Sequence, residues 1–257
     1  MLPTEKTPPK ADASRKSFLL YGRSKVGKST WASRIPGALF LVTDPGLDEI
    51  GCYRIPQAGV LKSWGEIRNT VEEIAQGGHQ FKTIILDTVD IAFQLLSQSV
   101  CDHYRVSHWT DGVLGYGKGV SIIKNSFYRL ILKLTQLPYG LILISHATER
   151  TYESRTGERR MVIPSLPEKA GEIVLGLVDG ILFADVEPTG QRVIRLHNEP
   201  SHVAGLRGGK HLPATWALED TAGFFQAYSE SLQKNANENG VGIVPHQQAT
   251  TPIQRSK

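Results

Sequence analysis

The sequence predicts an α/β fold: a mostly parallel central sheet flanked by helices, with a C-terminal β-hairpin. Three observations carry that expectation. Short runs such as Phe18–Tyr21, Ala38–Thr43, Thr83–Leu86 and Gly140–Ser145 are apolar on both faces, as strands buried between two helical layers are. The segments between them place apolar residues three and four apart, the period of an amphipathic helix. The first run passes directly into Gly22-Arg23-Ser24-Lys25-Val26-Gly27-Lys28-Ser29, which fits G-x-x-x-x-G-K-[ST], a turn from strand to helix.

In chain order, residues 1–15 are rich in Pro, Lys and Thr with little to bury, and are expected to be a flexible arm. A strand over 17–21 leads through the Gly-rich loop into a short helix, Thr30 to Ile35, which Pro36 ends. The strand from Ala38 closes in Asp44-Pro45-Gly46, and Cys52 to Ile55 suit a short edge strand. Ser63 with Glu66 forms a capping box for a helix whose face is Trp64, Ile67, Val71 and Ile74. The run Thr83–Leu86 ends in Asp87, followed by a helix from about Asp90 to Tyr104 and a Gly- and aromatic-rich loop over 107–119. Val120, Ile123, Phe127, Leu130 and Leu134 mark another helix, and the strand from Gly140 ends in His146. Residues 147–162 read as a hairpin carrying Arg150, Arg155, Arg159 and Arg160. A helix near 168–177, a hairpin of Gly180–Ala184 with Arg192–Leu196, a basic loop over 205–211 and a final helix, Thr221–Leu232, complete the domain. The expected organisation is therefore an arm over 1–15, one domain over 16–232, and a polar, disordered tail over 233–257.

The Gly-rich loop reads as a phosphate cradle. Its glycines let consecutive N–H groups turn inward on phosphate oxygens at the start of a helix. Residues 22–29, together with Thr30, are the candidate nucleotide-binding set, with Lys28 reaching the β- and γ-phosphates and Ser29 holding Mg²⁺. Asp87, an acid closing a hydrophobic strand 59 positions after Lys28, is the second candidate metal ligand, and Thr88 is placed to assist it. The net charge of +4 permits a nucleic-acid partner without requiring one. The two cysteines, Cys52 and Cys101, support neither a disulfide framework nor a zinc site, and no signal peptide or apolar span of about 18 residues appears. A reduced, cytoplasmic setting without a membrane partner is expected.

The order strand, phosphate loop, helix, strand ending in Asp44, strand ending in Asp87, strand ending in His146 resembles the core of RecA-like ATPases. Over roughly 16–232 the chain is similar to phage-encoded AAA-domain ATPases of the RecA-like recombination or single-strand annealing type. The segments that carry the likeness are FLLYGRSKVGKST, ALFLVTDPGL, TIILDTVD, GYGKG, LILISHATER and the basic loop before LPATWAL. The resemblance implies a DNA-dependent ATPase using ATP and Mg²⁺ and working as a ring or filament on single-stranded DNA, with a single-stranded-DNA-binding protein as a partner. It implies that Asp44, where the family usually has Glu, orients the attacking water, and that His146 senses the γ-phosphate. Under the same resemblance the arginines of 147–162 face DNA, and Arg207 and Lys210 stand where finger residues reach into a neighbouring subunit's site.

Each residue also has a plainer reading. Asp44 can be a turn former before Pro-Gly, His146 a satisfied strand-end residue, the hairpin arginines a solvated face balanced by glutamates, and Arg207 and Lys210 ordinary surface cations. Trp109 and Tyr116 are either base-stacking residues or anchors of their loop. Two other functions share the phosphate loop: a small-molecule kinase with 147–162 as its lid, and a nucleotide-gated binding module with little turnover.

Overall fold

A strand that is apolar on both faces is stable only where both faces are covered, and the computed structural model shows the two covers. It describes residue 2, residues 11–154 and residues 157–238. Among these residues the strands are β1 (Ser17–Gly22), β2 (Ala38–Val42), β3 (Tyr53–Ile55), β4 (Thr83–Asp87), β5 (Gly140–Ser154), β6 (Gly157–Pro164), β7 (Gly180–Val186), β8 (Arg192–Arg195), β9 (Gly205–Leu206) and β10 (Thr215–Ala217). The helices are α1 (Lys28–Ser33), α2 (Trp64–Gln76), α3 (Val89–Tyr104), α4 (Lys118–Gln136), α5 (Glu168–Leu177) and α6 (Thr221–Glu238).

The sheet runs in the order β10-β8-β7-β1-β5-β4-β2-β3, with β6 paired to β5 and β9 to β7. From β7 across to β3 every pairing is parallel. The antiparallel β8 joins β7 as the expected hairpin, and β10 extends it. Alternation along the strands divides the core. Leu19, Leu39, Leu41, Ile84, Leu86, Leu141 and Leu143 face α2, α3, α4 and α5. Their neighbours Phe18, Leu20, Phe40, Val42, Ile85, Ile142 and Ile144 face α1 and α6, where Phe18 meets Phe224 and Tyr228 edge-on. The α/β class with a mostly parallel sheet flanked by helices is what the apolar runs predicted.

Several boundaries differ, each for a local reason. The helix expected from Thr30 begins at Lys28, directly behind Gly27, whose φ of 111° turns the chain into it. The strand expected to end at His146 runs on to Ser154, 15 residues in all from Gly140, so the predicted hairpin is an extension of a central strand. Part of the expected arm is structured. Ala13–Arg15 form a 3-10 turn capped by Asp12, with Ala13 buried against the α6 side of the core. The last helix runs six residues past Leu232 to Glu238, burying Ala236. Residues 1 and 3–10 of the expected arm and residues 239–257 of the expected tail lie outside the described residues.

Candidate functional site

Parallel strands deliver their C-terminal ends to one edge. The register aligns Gly22 of β1 with His146 of β5 and Ala184 of β7, and Val42 of β2 with Asp87 of β4. One strand, β5, separates β1 from β4, so the residue that leaves it at the edge, His146, stands between the Gly-rich loop and Asp87.

The loop is shaped by two left-handed positions, Lys25 at φ 63° and Gly27 at φ 111°. At Gly22 a Cβ would lie 2.4 Å from the carbonyl oxygen of Ala184, so that close approach permits only glycine. Lys28 folds back under the loop, and its Nζ donates to the carbonyls of Gly22 and Arg23, each at 2.9 Å. Only 6% of Lys28 is exposed, and among the described residues it has no ion pair. Burial pushes its pKa down, against the pull of Asp87, Asp90 and Asp44. A buried ammonium held by neutral carbonyls, beside backbone turned to offer N–H groups, fits a polyanion such as a nucleotide phosphate chain.

Asp87 is 5% exposed, and Ser29 Oγ donates to its Oδ2 at 2.6 Å. Burial raises its pKa, and the Ser29 hydrogen bond, Lys28 and His146 partly offset that. The hydroxyl and carboxylate oxygens make a hard donor pair. Among the described residues no cluster of three or more His, Cys, Asp or Glu side chains forms a metal cage. Mg²⁺ characteristically needs only one or two protein oxygens alongside water and phosphate, so the pair fits it. Beside them His146 Nε2 faces Asp44 Oδ2 at 3.2 Å, both side chains about one-third exposed. The edge is braced from behind: Thr43 N donates to Asp87 O at 2.7 Å, and Thr43 Oγ1 both donates to Thr88 O and accepts from Thr88 N. Thr88 also caps α3.

Asp90 was read from the sequence only as a helix-start acid. It is buried and accepts from Ser145 Oγ at 2.9 Å, from His146 N at 3.2 Å and from Ser165 Oγ. Since Ser165 N also donates to His146 O at 2.8 Å, Asp90 ties down both legs of the β5–β6 hairpin where it leaves the core. Its spacing of three from Asp87 was visible in the sequence, but no periodicity distinguishes a buried acid in a first helical turn from a solvated one. A second missed link is Arg23, whose Nη2 meets Glu149 Oε1 at 3.2 Å, joining the Gly-rich loop to the hairpin.

The pairing resolves the hairpin's mixed charge. Directly opposed residues share a face, so Arg150, Tyr152, Arg159 and Met161 lie on one side. Glu149, Thr151, Glu153, Glu158 and Arg160 lie on the other. Arg155 lies outside the described residues. Arg207 and Lys210 are not brought to this chain's phosphate loop. Arg207 N donates to Asp179 O just before β7, at the opposite edge of the sheet, while its Nη2 donates to Gly176 O at 3.0 Å. Lys210 is paired with Glu238. Trp109 packs edge-on to Phe93, so it anchors its loop, while Tyr116 is fully exposed.

A parallel sheet, a cradle closing on a buried lysine and a hydroxyl–carboxylate pair beside it define a phosphate-loop nucleotide-binding protein of the ATPase class. Residues 14–207 match the family described as the AAA domain, and the chain belongs to that family. It is also 26% identical over 171 residues to the SPbeta prophage-derived uncharacterized protein YorG of Bacillus subtilis (strain 168). That match covers 63% of this chain and 50% of YorG, so the chain spans about half the length of the curated relative it matches. No helix among the described residues is long and apolar enough to cross a membrane.

Proposed function

We infer that the protein hydrolyses ATP in response to single-stranded DNA, in phage-type recombination, annealing or repair, and that it works as a homo-oligomer. The observation that carries the DNA half of this reading is the segregated hairpin. Arg150 and Arg159 share one face with the half-exposed Tyr152, and among the described residues neither arginine has a partner. Cations flanking an aromatic ring match the chemistry of a single strand, which offers phosphates and unstacked bases. The hairpin is a continuation of β5, so a contact on that face reaches His146 through one strand. The prophage origin of YorG agrees with this setting.

Hydrolysis asks the protein for position and charge rather than covalent chemistry. Lys28 supplies the buried cation under the phosphate chain. Ser29 and Asp87 would hold Mg²⁺, which neutralises charge on the phosphates when bound. Asp44, which faces His146 at 3.2 Å, accepts in this reading a proton from a water lined up on the terminal phosphate. Asp90 keeps the His146 backbone fixed.

The test is ATP turnover by the purified protein with and without single-stranded DNA, with Lys28→Ala as the blank. We expect stimulation by DNA that disappears in Lys28→Ala. It should fall several-fold in an Arg150→Ala/Arg159→Ala double variant and hold in Arg160→Ala. Turnover indifferent to DNA would remove the DNA reading and leave the ATPase.

A further inference from the structure

We propose that Arg192 binds the nucleoside half of the nucleotide, by laying its guanidinium against the base. The inference rests on the nucleotide-binding reading above and assigns it a residue that neither the motifs nor the family match singles out.

The argument begins with direction. The groups that serve the terminal phosphate, Asp87, Asp44 and His146, all lie on the β5–β4–β2 side of β1. A phosphate chain with its γ end on that side must run its nucleoside toward the other, where β7 and β8 stand. Arg192 is the first residue of β8 and pairs with Val186, two positions beyond the Ala184 that touches Gly22, so it sits at the loop's own edge of the sheet. It is also close to the loop. A Cβ on Gly27 would lie 3.6 Å from Arg192 Nη1 and 3.1 Å from Leu218 Cδ2. Leu218 is buried and its N–H donates to Arg192 O at 3.1 Å, which fixes the start of β8 against the loop. The guanidinium itself is free. Arg192 is exposed, and among the described residues its side chain has no hydrogen-bond or ion-pair partner.

That isolation separates Arg192 from the other arginines near the site. Arg23 is paired with Glu149, Arg34 donates to Glu219 O, and Arg195, three residues along the same strand, pairs with Asp185 at 2.9 Å. A planar, weakly hydrated cation at the rim of a nucleotide cradle is suited to stacking on an aromatic base.

Calorimetric titration separates this contact from the phosphate cradle, using ADP as one probe and inorganic tripolyphosphate as the other. Arg192→Ala is expected to weaken ADP binding about tenfold, the loss of one base-stacking contact, and to leave tripolyphosphate binding unchanged. Arg192→Lys, which keeps the charge and removes the plane, should lose ADP affinity to a similar extent. ADP affinity unchanged in Arg192→Ala would overturn the proposal. So would an equal loss for tripolyphosphate, which would move the guanidinium onto the phosphates. Failure of the underlying reading looks different: the unaltered protein would not bind ADP, or Lys28→Ala would bind it just as well.

Discussion

The two edges of the sheet carry charge in opposite ways. At the N-terminal edge Asp179 is fully engaged: it accepts from Ser17 N and Ser17 Oγ at 3.0 Å, and it pairs with Lys16 at 3.6 Å and Arg207 at 4.0 Å. Glu238 there meets Lys210 and His211, and the Lys210 hydrogen bond holds its carboxyl below the usual range. At the C-terminal edge Lys28 and Asp87 are buried without an ion pair closer than 4 Å among the described residues, and burial drives each toward its neutral form. Charge satisfied within the chain is architecture. Charge buried at a cost and left unpaired is held for something that arrives, here the phosphates of a nucleotide and, under the proposed function, a divalent cation with them.

The largest expected effects follow from breaking the C-terminal edge. Lys28→Ala and Asp87→Asn should each reduce ATP turnover by roughly a hundred- to a thousandfold, the scale seen when one preorganised electrostatic contact is removed. Each change loses hydrogen bonds, from Lys28 to Gly22 O and Arg23 O or from Ser29 to Asp87, but it also removes the cost of a buried, unpaired charge, so thermal unfolding should shift little. A large drop in melting temperature in Lys28→Ala would make the buried lysine structural and erase the contrast between the edges.

Asp90 sharpens the comparison, because it is buried at the same edge yet satisfied within the chain. Asp90→Ala leaves Ser165 Oγ and His146 N without their acceptor, while Ser145 Oγ keeps His146 O at 3.1 Å, a loss of about 3 kcal/mol for two uncompensated groups at roughly 1–3 kcal/mol each. Melting should fall by roughly 6–12 °C for a domain of this size. Asp90→Asn, which keeps one acceptor, should lose less. If Asp90→Ala melts like the unaltered protein while DNA stimulation of turnover is lost, Asp90 acts on coupling alone and its bracing role fails.

The residues that were legible in the sequence are those whose chemistry is local. Gly22 to Ser29 form a contiguous pattern whose glycine positions are fixed by backbone geometry, and Asp87 closes a strand whose burial its own apolar run announces. The core strands were legible for the same reason, since unbroken apolar runs fit only a sheet covered on both faces. What escaped depends on partners far along the chain. Asp90 meets residues 55 to 75 positions away, Arg192 gains its place from a loop more than 160 residues earlier, and the two faces of the hairpin appear only once the register pairs Tyr152 with Arg159. A composition of four arginines against three glutamates looked balanced because it was read along the strand rather than across it.

The smallest effect is expected at the N-terminal edge, and it bears on the finger role that resemblance implies for Arg207 and Lys210. Five residue steps of β1, roughly 16 Å, separate Asp179 from the phosphate loop, so neither cation serves its own site. Arg207 is well exposed, and its ion pair is long, so Arg207→Ala should cost less than about 1 kcal/mol. With its partners inside the chain, turnover should stay within about twofold of the unaltered protein, and the same holds for Lys210→Ala. Mixing gives the sharper measurement. An Arg207→Ala chain with an intact phosphate loop is combined with a Lys28→Ala chain that keeps Arg207. Equal turnover in the mixture and in the Arg207→Ala chain alone assigns Arg207 to the architecture of its own edge. Restoration of lost turnover on mixing would show one subunit's N-terminal edge completing its neighbour's C-terminal edge, and the two edges would then be halves of a shared site.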